Sequence, residues 1–260
     1  MNYVEMMGGL GNQLFQYTFH KYCEKKSGNI TFLHTESYKN AIKRKFMLDR
    51  FMCDYVGIRG RIVCDDIIEE AEFTDIEHGL NEIFFRGYWQ NKKFFEEVKE
   101  DILGEVRLRE EYLSKELINA GQEIQSDNSI AIHFRRGDYL HELNRNTFNI
   151  LSVDYYRMAI EEIAKKCSGN LKAYIFSEDI DYVSGIRDQL GEIEIKIMPV
   201  RENYEDMYLM SLAKHHIIAN STFSWWGAAL SQEGGITVAP QKWCLDRPSP
   251  DLYLDNWITI

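Results

Sequence analysis

The 260-residue chain has few cysteines and no closely paired ones. Its five cysteines are an odd number and include no Cys-x-x-Cys spacing, so the sequence predicts neither a disulfide framework nor a thiolate zinc site. A reducing cytosol fits this usage. Prolines number only four, there is no Pro/Gly-rich linker and no internal repeat, and a domain boundary must therefore be placed by pattern.

Long apolar runs and an excess of basic residues are also missing. Nowhere does the chain approach ~18 uninterrupted apolar residues, and its first seven residues lack a basic segment, so we expect no signal peptide and no membrane span. Thirty Lys and Arg face 41 Asp and Glu, a net charge of −11. This balance argues against nonspecific nucleic-acid binding. A phosphate site would have to be a local cluster of positive charge.

The second half of the chain alternates strand-like and helix-like segments. Apolar runs predict strands, and apolar residues spaced three or four apart predict helices. The strands are predicted at 130–134, 171–176, 193–198, 217–219 and 236–239, and the helices at 156–167, 180–190, 204–214 and 222–230. Alternation of this kind indicates a parallel sheet flanked by helices.

The first half opens in the same way and then becomes less regular. A strand is predicted at 3–7, followed by a glycine turn and a helix from about Asn12. The charged stretches between residues 40 and 125 are typical of solvated helix faces. A polar stretch at 122–128 marks the boundary, which predicts an N-terminal lobe at 1–125, a C-terminal lobe at 126–260 and a cleft between them.

Two arginines follow the strand that opens the second lobe. They belong to the run His133-Phe134-Arg135-Arg136-Gly137-Asp138. Ligands of open α/β sheets bind outside the carboxyl ends of the strands, and guanidinium groups match phosphate oxygens. The sequence thus indicates an anion site, with surface salt bridges as the alternative.

A glycine turn follows the first strand, with the sequence Gly8-Gly9-Leu10-Gly11-Asn12-Gln13. Glycines allow backbone N–H groups to approach a ligand, and a helix amino terminus favours an electron-rich group. The spacing departs from the dinucleotide fingerprint, so a plain strand-to-helix turn is the alternative. The amides of Asn12 and Gln13 suit sugar hydroxyls, although Asn12 could equally cap the helix.

A third turn is rich in small polar residues and tryptophan, and carboxylates lie between it and the arginines. Residues 220–227 (NSTFSWWG) predict either an anion cradle or a capped helix with an aromatic core. Glu178, Asp179 and Asp206 could accept hydrogen bonds from a ribose or a guanine, or could cap helices.

Taken in order, five blocks resemble the inverting α-1,2-fucosyltransferases, which use GDP-L-fucose. The blocks are GGLGNQLFQY at 8–17, GYWQ at 87–90, HFRRGDY at 133–139, FSED at 176–179 and NSTFSWWGAA at 220–229. The HxRRxD block is shared with α-1,6- and protein O-fucosyltransferases. The resemblance implies an α/β, GT-B-like fold of two facing Rossmann-type lobes with parallel sheets. It also implies a bacterial cytosolic enzyme, with a peripheral contact at the inner face of the plasma membrane left open.

The resemblance also implies roles for individual residues. Catalysis would involve Arg136, Asp138 and Asn12, with Asp138 a poor base if it pairs with an arginine. The acceptor or the cleft would be contacted by Gly9, Gly11, Asn12 and Gln13. The donor would be bound by His133, Arg135, Arg136, Glu178, Asp179, Asp206, Ser221, Thr222 and Ser224.

The implied reaction moves L-fucose from GDP-β-L-fucose to O2 of a terminal galactose with inversion. The acceptor would be a galactose-terminated oligosaccharide or a lipid-linked glycan. No metal and no cofactor are expected, because two arginines supply the positive charge; Asp179-Ile180-Asp181 fits a DxD pattern only formally. Transfer to another hydroxyl and an inactive nucleotide-sugar-binding relative are the alternatives.

Overall fold

The computed structural model describes residues 1–42, 44–76, 81–137, 147, 149–246 and 249–260. The chain divides into two compact units, Met1–Arg109 and Glu110–Ile260. Over these described parts, no helix combines the length and the apolar character that a membrane crossing needs.

The first lobe is built on a parallel sheet of five strands. Its strands are β1 (Asn2–Glu5), β2 (Thr31–His34), β3 (Val56–Ile58), β4 (Asp66–Glu69) and β5 (Ile83–Arg86), in the order β3-β2-β1-β5-β4. All four pairings are parallel. Its helices are α1 (Leu10–Ser27), α2 (Lys92–Glu97) and α3 (Lys99–Glu105). The strand order reverses between β1 and β5.

The glycine turn is tighter than the sequence predicts. Strand β1 ends at Glu5 because the amide of Met7 turns to the side chain of Gln16, 3.0 Å away. Helix α1 then begins at Leu10 with Gly9 as its N-cap, and the amide of Gln13 donates to the Gly9 carbonyl at 3.0 Å. The helix therefore starts two residues before the predicted position of about Asn12, and the alternative that Asn12 caps it is wrong.

An aromatic cluster forms much of the core of this lobe. The rings of Phe19 and Trp89 stack with centroids 3.7 Å apart and planes at 3°, and both side chains are fully buried. Further rings contact Phe19 at their edges or faces, namely those of Tyr22, Phe73, Phe85 and Phe94. Helix α1 is thus joined through Phe19 to the segment that follows β5.

The second lobe has a parallel sheet of six strands. These are β6 (Ser129–Phe134), β7 (Lys172–Ser177), β8 (Glu194–Ile197), β9 (His215–Ile217), β10 (Thr237–Ala239) and β11 (Ile258–Thr259), in the order β11-β10-β9-β6-β7-β8. All five pairings are parallel. The helices are α4 (Lys115–Ser126), α5 (Val153–Lys166), α6 (Ile180–Ile186), α7 (Asn203–Ser211) and α8 (Thr222–Ala229). The predicted alternation of strand and helix is confirmed.

Two details of this sheet differ from the sequence prediction. Strand β9 ends at Ile217 rather than at Ala219. The hydroxyl of Tyr155 donates a hydrogen bond to the carbonyl of Ile218 at 2.7 Å. Strand β11, which pairs with β10, was not predicted. It is only two residues long and carries too little pattern to be recognised.

Helix α4 lies in the second unit, although the predicted boundary at 125/126 leaves it in the first. Its Ile124 is fully buried, and a Cβ on its Gly121 would meet Leu212 at 2.7 Å, so α4 packs closely on the end of α7. Its Glu123 accepts hydrogen bonds from Lys172 at 3.3 Å and from Lys196 at 2.5 Å. These contacts explain why α4 belongs to the second unit.

We expect Phe19→Ala to destabilise the protein strongly, because it removes the ring at the centre of the aromatic cluster. Loss of a buried Phe costs about 3 to 5 kcal/mol. Thermal unfolding followed by circular dichroism measures the effect. Ile30→Ala, at a side chain that is 63% exposed, is the control and should stay within about 0.5 kcal/mol of wild type. Equal melting temperatures for both variants would contradict this account of the core.

Candidate active site

The strand order of the second lobe predicts where a ligand binds. From β6 the chain proceeds outward through β7 and β8, then returns to the other side of β6 with β9. Ligands of open parallel sheets bind at such a reversal, outside the carboxyl ends of the strands. Three predicted segments follow the carboxyl ends of adjacent strands here: 135–137 after β6, 178–179 after β7 and 220–224 after β9.

Arg136 is held in place by two contacts. Its Nε donates to Oδ2 of Asp179 at 2.9 Å, and its guanidinium carbon lies 3.4 Å from the centroid of the Tyr182 ring. The other carboxylate oxygen of Asp179 accepts from the amide of Tyr182 at 3.1 Å and caps α6. The hydrogen bond from Arg136 and then that amide hold the pKa of Asp179 below its usual range.

Arg135 pairs with the neighbouring carboxylate. Its Nη1 lies 3.3 Å from Oε1 of Glu178, which also accepts from the backbone amide of Arg136 at 3.2 Å. A Cβ on Gly137 would lie 2.4 Å from the same oxygen, so glycine leaves room for this approach. The salt-bridge alternative thus holds for both arginines, and both stay partly exposed, with 29% and 19% of their side-chain surface accessible.

His133, the last but one residue of β6, is buried and neutral. Burial, with a smaller contribution from the charge of Arg135, lowers the pKa of His133 to about 3. Its ring lies 5.3 Å from that of Phe223, at the start of α8. No described residue hydrogen-bonds to its Nδ1. A buried polar atom of this kind is stabilised by a partner, and a ligand at the sheet edge would supply one.

Asp206 is a second buried polar group in this lobe. It lies in the first turns of α7, the helix that connects β8 to β9. Burial is the main cause that raises the pKa of Asp206 to about 7, whereas the nearby charge of Arg201 opposes the rise. No described residue hydrogen-bonds to its Oδ1. The carboxyl group can therefore change its ionisation near neutral pH when a partner arrives.

The turn after β9 is held by its own side chains. Asn220 donates to the carbonyls of Asn149 and Trp243 at 3.1 and 3.0 Å. Ser224 is fully buried, and its hydroxyl lies 3.2 Å from the carbonyls of both Ala219 and Ser221. Ser221 is the N-cap of α8, with no capping bond from its side chain. Ser224 thus stabilises the turn. Thr222 is more exposed than Ser221 and Ser224. Ligand contacts of these three residues stay a prediction.

In the first lobe, buried amides surround the glycine turn. Gln13, predicted to contact the acceptor, is fully buried. Its Nε2 donates to the Lys45 carbonyl at 2.8 Å, and its Oε1 accepts from the amide of Met47 at 2.8 Å. It therefore holds residues 45–47 against the turn. Gly9 and Gly11 lie at the start of α1 as predicted, and their acceptor contacts stay predictions.

The block at 87–90 lies beside the glycine turn, at the reversal of strand order between β1 and β5. Gln16 donates to the Gly87 carbonyl at 3.0 Å, and Nε2 of Gln90 donates to Oδ1 of Asn12 at 3.1 Å. The carboxylate of Glu70 accepts from the amides of Tyr88 and Gln90 at 2.7 and 3.2 Å. Asn12 thus faces a second amide.

Three supporting residues were not predicted: Gln16, Glu70 and Tyr182. Gln16 lies in one of the five family blocks, and this was the only sequence feature that pointed to it. No sequence feature pointed to Glu70 or Tyr182. The predicted catalytic residue Asp138 lies outside the described residues. Among the described residues, no three His, Cys, Asp or Glu side chains are grouped as metal ligands would be.

Solved structures share this architecture. The NodZ α-1,6-fucosyltransferase, in a crystal soaked with GDP-fucose, matches with a TM-score of 0.60 and 16% identity, covering 88% of this chain and 92% of NodZ. POFUT1 in complex with GDP matches with a TM-score of 0.52 and 10% identity, over 99% and 97% of the two chains. The protein is therefore an α/β protein with the predicted GT-B-like fold.

The chain belongs to glycosyl transferase family 11, whose sequence profile matches residues 29–260. It is 31% identical to the alpha-1,2-colitosyltransferase of Escherichia coli, over 99% of this chain and 98% of that one. It is 26% identical to the O-antigen biosynthesis glycosyltransferase WbnK of Escherichia coli, over 99% and 100% of the two chains. The family resemblance read from the five blocks is confirmed, and the protein is an enzyme of this family.

We expect Gly87→Ala to destabilise the first lobe by about 1 to 3 kcal/mol, the usual cost of overpacking. A Cβ at this position would lie 2.4 Å from Cβ of Glu70, close to the backbone of that residue rather than at a movable end. Gly104→Ala in α3 is the matched control, because nothing lies within 4 Å of its Cβ. Thermal unfolding of both variants measures the difference; a Gly87→Ala protein as stable as the control would disprove the close contact.

Proposed function

We propose that this enzyme transfers L-fucose from GDP-β-L-fucose to O2 of a terminal galactose with inversion, forming an α-1,2-fucoside. The observation that carries the proposal is the pair Arg135 and Arg136 at the reversal between β6 and β9, with the unpaired polar atoms of His133 and Asp206 in the same lobe. A nucleoside diphosphate has the charge and the hydrogen-bonding groups that suit these residues.

The arginines would stabilise the leaving group. Departure of GDP from C1 of fucose leaves a cationic sugar and places negative charge on the β-phosphate oxygen, and fixed positive charge nearby lowers the barrier. The Nε of Arg136 donates to Asp179, whereas its terminal nitrogens hydrogen-bond to no described residue. They would be the phosphate donors.

The guanine would be recognised by acceptors of hydrogen bonds. Guanine offers an N1–H and an exocyclic amine, and the ionised carboxylate of Asp206 could accept from both. Neutral His133 would contact the nucleoside with its unpaired Nδ1. Ser221, Thr222 and Glu178 would complete the donor site as the sequence predicts.

The acceptor would bind to the first lobe. There the amides of Asn12 and Gln90 lie together at the reversal between β1 and β5, and amides suit sugar hydroxyls. The acceptor proton would leave late, to a phosphate oxygen of GDP or to water near Asn12. Following the relative named for O-antigen biosynthesis, we take the acceptor to be a surface glycan or its lipid-linked precursor at the inner face of the plasma membrane.

A second candidate differs only in the donor sugar. A relative at 31% identity is named an alpha-1,2-colitosyltransferase, and colitose is L-fucose without its 3-hydroxyl group. The linkage and the nucleotide would be the same. The donor sugar is then decided by whether a polar group meets that hydroxyl, since a site built to bond a hydroxyl strongly rejects an analogue that lacks it.

The proposal is tested by product analysis. The protein is incubated with GDP-fucose or GDP-colitose and a panel of β-galactosides, and the products are examined by NMR. We expect an α-linked sugar on O2 of galactose and preferential use of GDP-fucose. Preference for GDP-colitose would select the second candidate. A product on another hydroxyl, or none with either donor, would refute the proposal.

The same reaction in excess EDTA examines the role of a metal. We expect turnover to persist, because the proposal assigns stabilisation of the leaving group to arginine side chains. Loss of activity that Mn²⁺ restores would show that a cation does this work instead.

We expect Arg136→Ala to lower kcat by about 100-fold, or about 3 kcal/mol, the usual cost of losing one preorganised donor to the developing charge. Arg136→Lys should not restore the rate, because a point charge cannot both donate to Asp179 and present two parallel donors. Arg157→Lys, on the exposed face of α5 and paired with Asp154 and Glu161, is the matched control. Steady-state kinetics with near wild-type turnover in the Ala variant would exclude Arg136 from the mechanism.

We expect GDP to bind more weakly as the pH falls below about 7. Binding of guanine favours the ionised form of Asp206, and burial raises the pKa of this group to about 7 in the free protein. The dissociation constant should therefore be about tenfold higher at pH 6 than at pH 8. In Asp206→Asn only the titration of the GDP phosphate remains, and calorimetry on both proteins isolates the carboxyl contribution. Identical pH profiles would place Asp206 outside the guanine site.

A further inference from the structure

Tyr88 stands out because it is an exposed aromatic residue on a rigid turn. Its exposed fraction is 39%, the highest among the described Phe, Tyr and Trp residues. It directly follows Gly87 at the carboxyl end of β5, beside the reversal of strand order. An exposed aromatic ring at such a place is suited to contact a ligand.

The turn that carries Tyr88 is held in a strained conformation. The next residue, Trp89, has a φ of 58°, in the left-handed region that non-glycine residues rarely adopt. Its indole is buried against Phe19, and the Glu70 carboxylate binds the amides of Tyr88 and Gln90. Strain of this kind persists only where the surroundings enforce it, and it concentrates at functional sites. Here it turns Trp89 inward and leaves Tyr88 outside.

Polar side chains lie near the turn that carries the exposed ring. The Gln90 amide bonds to Asn12 at 3.1 Å, and the hydroxyl of Tyr38 donates to the Gly8 carbonyl at 2.9 Å. An aromatic face beside amides and hydroxyls matches a pyranose, which has an apolar C–H face and a rim of hydroxyls.

We propose that the Tyr88 ring stacks on the acceptor galactose, whose hydroxyls bond to the amides of Asn12 and Gln90. This proposal rests on the function proposed above, in which the acceptor is a galactoside. In β-galactose the axial O4 leaves the C–H bonds at C3, C4 and C5 on one face, and this face would lie on the ring. Tyr88 is thus a determinant of acceptor specificity that the turn at 87–90 holds in position.

Binding can be tested without turnover. Saturation-transfer NMR of methyl β-galactoside with the protein in the presence of GDP should give the strongest signals at H3, H4 and H5. Tyr88→Ala should lose these signals, and Tyr88→Phe should keep them, because stacking needs the ring and not the hydroxyl. Val56→Ala, an exposed apolar change on the far edge strand of the same sheet, is the control. Unchanged signals in Tyr88→Ala, or no galactoside binding by wild type, would overturn the proposal.

Kinetics separate this proposal from the function on which it rests. Absence of transfer by the wild type would refute the proposed function, while the NMR experiment would still report on the galactoside. Where transfer occurs, we expect Tyr88→Ala to raise the acceptor KM about tenfold and to leave the KM for GDP-fucose and its slow hydrolysis unchanged. An equal rise in the KM of both substrates would mean that Tyr88 supports the whole lobe, and would overturn the acceptor contact.

Discussion

The parallel pairing of β6 with β9 is the interaction on which the second lobe depends. Ile130 to Ile132 pair with 215–217 across the point where the strand order reverses. Because both strands run in the same direction, the turns that follow them emerge at one edge, and the connecting helices diverge from that edge. Residues far apart in sequence, such as Arg136 and Ser221, are thereby brought to the same edge of the sheet. The pairing of β1 with β5 does the same for Asn12 and Gln90 in the first lobe.

The two edges are stabilised in different ways that suit different ligands. In the first lobe Gln13 and Gln16 are fully buried with their amides bonded to backbone groups, and the carboxylate of Glu70 is bonded to two backbone amides. Such satisfied amides fix a turn without adding charge. In the second lobe Arg135 and Arg136 pair with carboxylates and remain partly exposed. Partly exposed ion pairs contribute little to stability, so these pairs orient the arginines while the exposed part of each guanidinium stays accessible to an anion.

The sequence predicted the second lobe better than the first, for a physical reason. Strands such as β6 are buried on both faces and form continuous apolar runs, whereas β3 and β4 are short, partly exposed and mixed in composition. The residues that follow the carboxyl ends of strands such as β6 were also predicted, because they belong to the family blocks. Glu70 was not, because its role depends on a distant turn and on the missing Cβ of Gly87. Nor could the sequence tell that Gln13 points inward, since a buried amide and a ligand-facing amide are the same residue.

Asp179 shows that alternatives drawn from sequence need not exclude each other. One carboxylate oxygen caps α6 and the other pairs with Arg136, so the position of the guanidinium is tied to the start of that helix. The Tyr182 ring fixes the plane of the guanidinium from one face. With Nε occupied and one face covered, the donors left for a ligand are the N–H groups of the two terminal nitrogens, which lie in the guanidinium plane. A helix cap and a salt bridge thus act together to orient the cation, which is what preorganised stabilisation of a developing charge requires.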